Sequence, residues 1–529
     1  MEKRLLLATF LSIAILVLFQ YLYGTKRPIK YHDEPEKVSV KPQRLVEEKT
    51  ISKKEIDKKE TDKNIRELTF ETKLIRVVLT NPGGRLKAVY LKKYTDEKNQ
   101  PVNLIRAGGL VDSYPVTFRF ADTNITDRAN NALYEVSYQT LATTKYQPEG
   151  VITFKYTDPE GTKYSKSYIF NHDNYLIKVR LSIENLSEKQ RKKTYQVLWG
   201  AGLGEVEVNK SSYTHQGPVV YLDKKLIRDQ MENVSTPIRH YGQISWVALE
   251  SKYFVIALIS PENLSTAVID KSRGQGLEVG LEYPIEDSRI EKEFRIYAGP
   301  KETQSLNHAH SDLEKIIDFG WFSFLAIPLL QLLNYTYRFT HNYGFSIILL
   351  TILIKIVFYP LSHKSYKSMQ KMQELQPKIK LIQERYKKDR EKLNQEMMGL
   401  YKQHKANPLG GCLPMLLQIP VFFALYRVLL DAIELRQAPF IWWIKDLSEK
   451  DPYYFWPIFM GLTMFIQQKM TPPMGDPRQN RMMLMMPVIF TIMFLNFPVG
   501  LVIYWFVNNL LSIMQQYYIT KKVSKPRPA

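Results

Sequence analysis

The sequence predicts a multi-domain membrane protein: an N-terminal anchor helix, an all-β domain outside the membrane, and an α-helical transmembrane core of five helices. Three observations carry that expectation. The 529 residues are 45% hydrophobic and 24% charged, but that average hides a division, because the first two-thirds is mostly polar and the last third is packed with apolar runs. Between about residues 68 and 300 apolar side chains recur at every second position, the period of a strand. Beyond residue 340 the runs lengthen toward what a helix needs to cross a hydrocarbon layer of roughly 30 Å. One of those runs, 345–361, contains a single cation, Lys355. A charge near mid-bilayer costs about 2.5–3.5 kcal/mol on insertion scales, so such a residue usually faces a cavity or a partner.

The first element is the apolar run 5–23, preceded by Lys3 and Arg4. No small-residue cleavage site follows it, so residues 1–24 are expected to be an uncleaved transmembrane anchor with the N-terminus in the cytoplasm. Residues 25–67 are dense in Lys and Glu and nearly without aromatics. Such a segment cannot bury enough surface to offset ordering entropy and is expected to be a disordered charged linker.

Residues 68–311 form the all-β domain. In the stretch 175–181, Ile177, Val179 and Leu181 share one face while Lys178 and Arg180 take the other. Asn81-Pro82-Gly83-Gly84 and Asp158-Pro159-Glu160-Gly161 each stand between two alternating runs and predict hairpin turns. A large twisted sandwich is the simplest architecture. His172, His215 and His240 are scattered, with no carboxylate pair or nucleophile motif beside them, so this domain is expected to bind or to scaffold.

Residues 312–340 are aromatic and apolar with Pro328 inside, which predicts an amphipathic helix lying in the outer interface. The remaining spans are expected at 341–361, 413–434, 453–470, 482–497 and 499–518. Between them fall a cytoplasmic helical hairpin (362–412), an outer loop (435–452), a cytoplasmic loop (471–481) and a basic tail (519–529). Charge sets the orientation. Residues 362–412 hold 12 Lys/Arg against 5 Asp/Glu, and the tail adds Lys521, Lys522, Lys525 and Arg527, which the positive-inside rule places in the cytoplasm. Arg427, a second cation within a span, is expected to snorkel to the outer interface.

Several classes are excluded. Cys412 is the only cysteine, so there is no intramolecular disulfide and no Cys/His ligand set for a metal. No nucleotide-binding or catalytic motif is present, so no cofactor, metal or catalytic residue is expected. The net charge of +20 concentrates in the linker, the hairpin and the tail. Flanking spans favour anionic lipid or a ribosome over a direct nucleic-acid substrate.

The hairpin shows apolar residues at Tyr366, Met369, Met372, Leu375, Ile379, Ile382 and Tyr386, then at Leu393, Met397 and Leu400. These spacings predict two antiparallel amphipathic helices. With Ser346-Ile347-Ile348-Leu349-Leu350, Tyr359-Pro360-Leu361, Leu375-Gln376-Pro377-Lys378-Ile379 and Gln395-Glu396-Met397-Met398, the sequence resembles the bacterial YidC family of membrane-protein insertases in its long, Gram-negative form. Asn407 to Cys412, Glu434-Leu435-Arg436-Gln437-Ala438-Pro439-Phe440, Met486-Pro487-Val488-Ile489-Phe490 and, upstream, Tyr297-Ala298-Gly299-Pro300-Lys301 extend the resemblance.

The resemblance implies a periplasmic β-supersandwich, similar in fold to sugar mutarotases without their activity. It also implies a hydrophilic groove, enclosed by the five core helices and open to cytoplasm and lipid. Lys355 occupies the position of the family's groove arginine, which keeps the charge and loses the planar fork. Thr351, one turn earlier, and Tyr504 and Trp505, at a family aromatic pair whose second member is usually tyrosine, are the implied polar and aromatic groove residues. Leu416, Ile419, Val421, Phe490 and Met493 are the implied client-sliding surface. The implied partners are nascent membrane proteins, the Sec translocon, membrane lipid, and the ribosome or targeting factors through the hairpin and tail. The implied location is the bacterial inner membrane, multi-pass, with both termini cytoplasmic. A secondary transporter and an envelope scaffold anchored by its spans are the alternatives. The first calls for paired ionisable residues and internal repeats, but Lys355 has no obvious Asp or Glu partner in the spans and no repeat is evident.

Overall fold

The computed structural model describes residues 65–96, 98–105, 114–188, 193–200, 202–204, 215–230, 236–261, 264–270, 277–386, 389–404, 413–470 and 477–523. The expected anchor (1–24), nearly all of the expected linker and Cys412 lie outside them. The chain divides into two compact units, Met1–Ile316 and Ile317–Ala529.

In the first unit β1 (Glu67–Glu71), β2 (Ile75–Thr80), β3 (Arg85–Thr95) and β4 (Pro101–Asn103) pair in sequence order as one antiparallel sheet. The β2–β3 turn holds Gly83 and Gly84 at φ +66° and +54°, a conformation that costs glycine little. A Cβ at Gly83 would meet the Asn130 carbonyl oxygen at 2.0 Å. The remaining strands are β5 (Thr117–Phe120), β6 (Glu135–Tyr138), β7 (Glu149–Thr157), β8 (Lys163–Asn171), β9 (Leu176–Glu184), β10 (Thr194–Trp199), β11 (Gly217–Leu222), β12 (Lys225–Arg228), β13 (Ile238–Glu250), β14 (Phe254–Ile259), β15 (Leu264–Asp270), β16 (Glu278–Pro284) and β17 (Ile290–Pro300). They run in the order β5-β10-β16-β15-β13-β14-β17-β9-β8-β7-β6, with β12 on β11 and β11 on β13.

Strand β13 joins the two halves of this sheet. Its first half, Ile238 to Gln243, pairs with β15; its second half pairs with β11 and β14. Alternation along β9 is strict: Ile177, Val179, Leu181 and Ile183 are buried, while Lys178 and Arg180 face solvent. The β7–β8 turn is tied by Asp158, whose Oδ1 accepts from the Glu160 and Thr162 amides at 2.9 and 2.8 Å.

Charged side chains interrupt this apolar core, Lys166, Arg85 and Glu250 among them. Lys166 on β8, fully buried, donates to the carbonyls of Gly83 (2.6 Å) and Ala129 (3.3 Å) and lies over the Phe118 ring at 4.4 Å. Ala129 belongs to α1 (Thr123–Asn131). Arg85 is equally buried. Burial and the neighbouring Arg85 hold the Lys166 ammonium well below its ordinary range. Glu250 accepts from Arg228 at 3.0 Å and from Lys301 at 2.8 Å. A short helix, α2 (Thr303–Asn307), follows β17.

The second unit is helical: α3 (Ser323–Thr340), α4 (Tyr343–Arg385), α5 (Arg390–Gln403), α6 (Leu413–Asp431), α7 (Phe455–Met470), α8 (Pro477–Phe494) and α9 (Val499–Val523). Helix α3 buries Ala326, Leu330, Leu333 and Thr336 and exposes the aromatic side chains of Phe324, Tyr335 and Phe339. Helix α4 is 43 residues long and, among the described residues, is the one of sufficient length and apolarity to cross a membrane. It runs unbroken through residues 361 and 362, where the sequence reading separated span from hairpin. No glycine intervenes there, Ser362 lies within the helix rather than capping a new one, and the Lys, Met, Gln and Leu that follow favour helix. Pro360 and Pro377 are accommodated inside it. The expected stripes of the hairpin meet: Met372, Leu375 and Ile379 pack against Met397, Leu400 and Tyr401. Asp389 caps α5 by accepting from the Lys392 amide at 3.1 Å.

Candidate functional site: a polar strip in an apolar bundle

Helices α4, α6 and α9 bring a set of polar side chains together inside an apolar bundle. Lys355 projects from α4, and its Nζ donates to Ser512 Oγ at 2.7 Å. The Ser512 hydroxyl donates in turn to the Asn508 carbonyl at 2.7 Å. Gln418 on α6 donates through Nε2 to Asn508 Oδ1 at 2.5 Å. The strip continues along α9 with Asn509 and Gln516, both buried, and Gln516 Nε2 donates to the Met470 carbonyl at 2.8 Å. Tyr504, Asn508 and Ser512 stand four residues apart and so share one face of the helix. Among the described residues Lys355 meets no carboxylate within ion-pair distance.

Around this strip the helices are apolar on both sides. Inward, Leu425, Val428, Val502 and Ile503 form a closed core. Outward, Ile356 and Val357, the residues next to Lys355, are exposed, Val357 at 73%. On α8, Leu484, Met485, Val488, Ile489 and Ile492 are exposed as well. An exposed apolar surface of that extent marks a partner, and lipid fits it.

The other expected site residues divide. Thr351 is 1% exposed and its hydroxyl is committed to the Ile347 carbonyl at 2.6 Å. Tyr504 is buried on the face of the strip, whereas Trp505 turns into an aromatic cluster with Phe422, Phe494 and Phe490 at 4.6, 5.4 and 6.1 Å. Adjacent residues stand about 100° apart on a helix, so these two side chains leave α9 in different directions. Ile419 is 42% exposed, but Val421 is 7% exposed and packs in the core. That corrects Val421 as part of a sliding surface: two residues are about 200° apart around the helix axis. Phe490 and Met493 are half-buried against the core, and the Leu416 side chain lies outside the described residues. Arg427 is paired with Asp431 one turn on, at 3.3 Å, so it is held by an ion pair within its own helix.

Gln418, Asn508, Asn509, Ser512 and Gln516 were missed by the sequence reading, which looked for charge. Their signal was present as neutral polar residues recurring at helical spacing inside spans. His172, His215 and His240 remain apart from one another: His172 meets Thr143 at 3.1 Å, His240 meets Asp229 at 2.9 Å, and His215 lies 4.0 Å from Glu250.

Residues 335–526 match the family model of the 60Kd inner membrane protein, and residues 67–332 match that of the YidC periplasmic domain. The membrane protein insertase YidC of Syntrophus aciditrophicus is 41% identical over 547 residues, covering 99% of this chain and 100% of that protein. The chain belongs to the YidC family. The insertase of Geotalea uraniireducens is 39% identical over 539 residues, covering 99% of this chain and 100% of that protein. A crystal structure of an active YidC insertase with its first transmembrane domain resolved aligns at 18% identity and a TM-score of 0.40, covering 97% of this chain and 99% of that one. The β-rich first unit thus coincides with the YidC periplasmic domain, and most of the helical second unit with the family's membrane part.

Proposed function

We propose that the chain is a membrane-protein insertase and chaperone of the bacterial inner membrane, moving hydrophobic segments of newly made proteins from the cytoplasm into the bilayer. Full-length kinship with YidC insertases supports the activity. The observation that carries the mechanism is Lys355 with its neutral polar neighbours, set beside exposed Ile356 and Val357. No covalent bond is made or broken. A polar client tail enters the strip, where Gln418 and Asn508 replace part of its hydration and Lys355 attracts its acidic groups. This lowers the desolvation cost that otherwise blocks a tail in hydrocarbon. The apolar part of the client leaves along Ile419 on α6 and the exposed face of α8 into lipid. Transfer into lipid releases roughly 25 cal/mol per Å² of apolar area, enough to draw the tail across without a nucleotide.

The orientation that suits this mechanism puts both termini and the α4–α5 hairpin in the cytoplasm and the β unit in the periplasm. The basic hairpin and tail then face the ribosome or targeting factors, and cooperation with the Sec translocon handles longer clients. The test is insertion of a single-span client with an acidic tail into liposomes, read by protease protection of the tail. Wild type should protect it and Lys355→Ala should lose most of that protection. Wild type no better than empty vesicles would overturn the activity; full protection by Lys355→Ala would overturn the electrostatic role.

A further inference from the structure

The geometry points to Ser512 as a positioning residue that aims the Lys355 charge, an inference that rests on the insertase reading above. A lysine ammonium is a compact charge at the end of a flexible stem, whereas an arginine guanidinium is a rigid fork. Something else must therefore fix where the charge sits. Among the described residues the partner of Nζ is Ser512 Oγ, at 2.7 Å across the α4–α9 contact.

Ser512 can act only as an acceptor toward the ammonium, because its own proton is committed to the Asn508 carbonyl at 2.7 Å. Asn508 is itself held through Oδ1 by Gln418 from α6. The hydroxyl is thus oriented by groups on two helices before the lysine reaches it. Ser512 is therefore a hub between α4 and α9, and the bland alternative is that it merely fastens these helices. The two roles differ in what they protect. A fastener supports every client equally, whereas an aiming residue matters only for clients whose tails carry negative charge, and only while Lys355 is present.

The experiment uses the full chain in liposomes with two clients, one with an acidic tail and one in which the acidic residues are replaced by their amides. Ser512→Ala should lower insertion of the acidic client about tenfold, in line with loss of a charge-assisted hydrogen bond, and leave the amide client within about twofold of wild type. Ser512→Thr, which keeps the hydroxyl, should restore the acidic client. In a Lys355→Ala background Ser512→Ala should cost nothing more, the signature of two groups acting as one unit. A second readout does not depend on insertion: labelling of the Lys355 amine by an amine-reactive reagent, followed by mass spectrometry, should quicken in Ser512→Ala and not in Ser512→Thr. Equal loss for both clients, no loss for either, or a loss that persists without Lys355 would each overturn the positioning role. If wild type inserts neither client, the insertase reading falls and this inference falls with it. If wild type inserts both and Ser512→Ala matches it, only the inference falls.

Discussion

A β-carbon added at Gly344, in the first turn of α4, would lie 2.0, 2.4 and 2.6 Å from Cδ2, Cγ and Cε2 of Phe440. Carbon atoms in ordinary contact stand about 3.5–4.0 Å apart, so the ring or the helix must retreat by about 1.5 Å. The ring has little room to do so. Phe440 is 9% exposed, its ring lies edge-on to Phe345 at 5.3 Å and tilted against Trp456 at 5.9 Å, and its amide donates to the Ile444 carbonyl at 3.0 Å. Overpacking of this kind costs about 1–3 kcal/mol. Alanine recovers at most about 1 kcal/mol of helix propensity. Gly344→Ala should therefore destabilise the helical unit by about 1–2 kcal/mol, a fall in melting temperature of roughly 2–8 °C for a unit of this size. Thermal unfolding of the full chain in detergent, read by near-ultraviolet circular dichroism, reports it, since Trp456 packs against the ring. The control is Gly399→Ala on α5, where a Cβ meets nothing within 4 Å; the same chemical change should there be neutral or stabilising. Phe440→Leu should relieve part of the Gly344→Ala penalty. Equal effects at 344 and 399 would refute the reasoning.

Asp451 is fully buried and accepts from Trp443 Nε1 at 3.0 Å and from the amides of Tyr453 and Trp456 at 3.1 and 2.8 Å, tying the outer loop to the start of α7. Asp451→Ala should cost about 3 kcal/mol through these unpaired donors and red-shift tryptophan fluorescence as the loop opens. Glu250→Gln leaves Arg228 and Lys301 facing a neutral group, so chemical unfolding of the β unit should show a loss of about 3 kcal/mol. Lys166 gives a pH signature. Because burial lowers its folded-state value below the ordinary 10.5, the unfolded chain binds the extra proton and stability rises with pH until 10.5 is reached. Between about pH 7 and pH 9, wild type should gain stability relative to Lys166→Met, below the range where unfolded tyrosines ionise; parallel curves would show that the lysine titrates normally.

How much of this was legible in the sequence depended on the range of the signal. Alternation in β9 and the two proline-glycine turns are local, so strands and hairpins could be read directly. The strand order was not, because β13 changes partners midway from β15 to β14 and β11, and pairing between distant segments leaves no periodic trace. The hairpin stripes were legible for the same reason as the strands: Met372, Leu375 and Ile379 recur at helical spacing, and they do meet the second helix. The continuity of α4 is not legible, because the composition changes from apolar to basic at residue 362 while the helix continues. A helix follows backbone propensity and can leave the apolar zone without ending.

At the candidate site, charge was easy to read and neutral polarity was not. Lys355 stands out in any hydropathy scan, whereas Gln418, Asn508 and Ser512 are unremarkable until three helices bring them together. Yet the neutral groups decide what the charge can do. A guanidinium would carry its own geometry, with a planar fork able to grip a carboxylate wherever the helix points it. An ammonium in the same place has three donors and no plane, and a hydroxyl on α9 takes one of them. The remaining two are left for water or client. On the role proposed for Ser512, the neighbouring helix supplies the orientation that arginine carries within itself. It follows that Lys355→Arg is not a neutral exchange in this background: the longer, flatter side chain would have to abandon Ser512 or displace α9 to reach the same point.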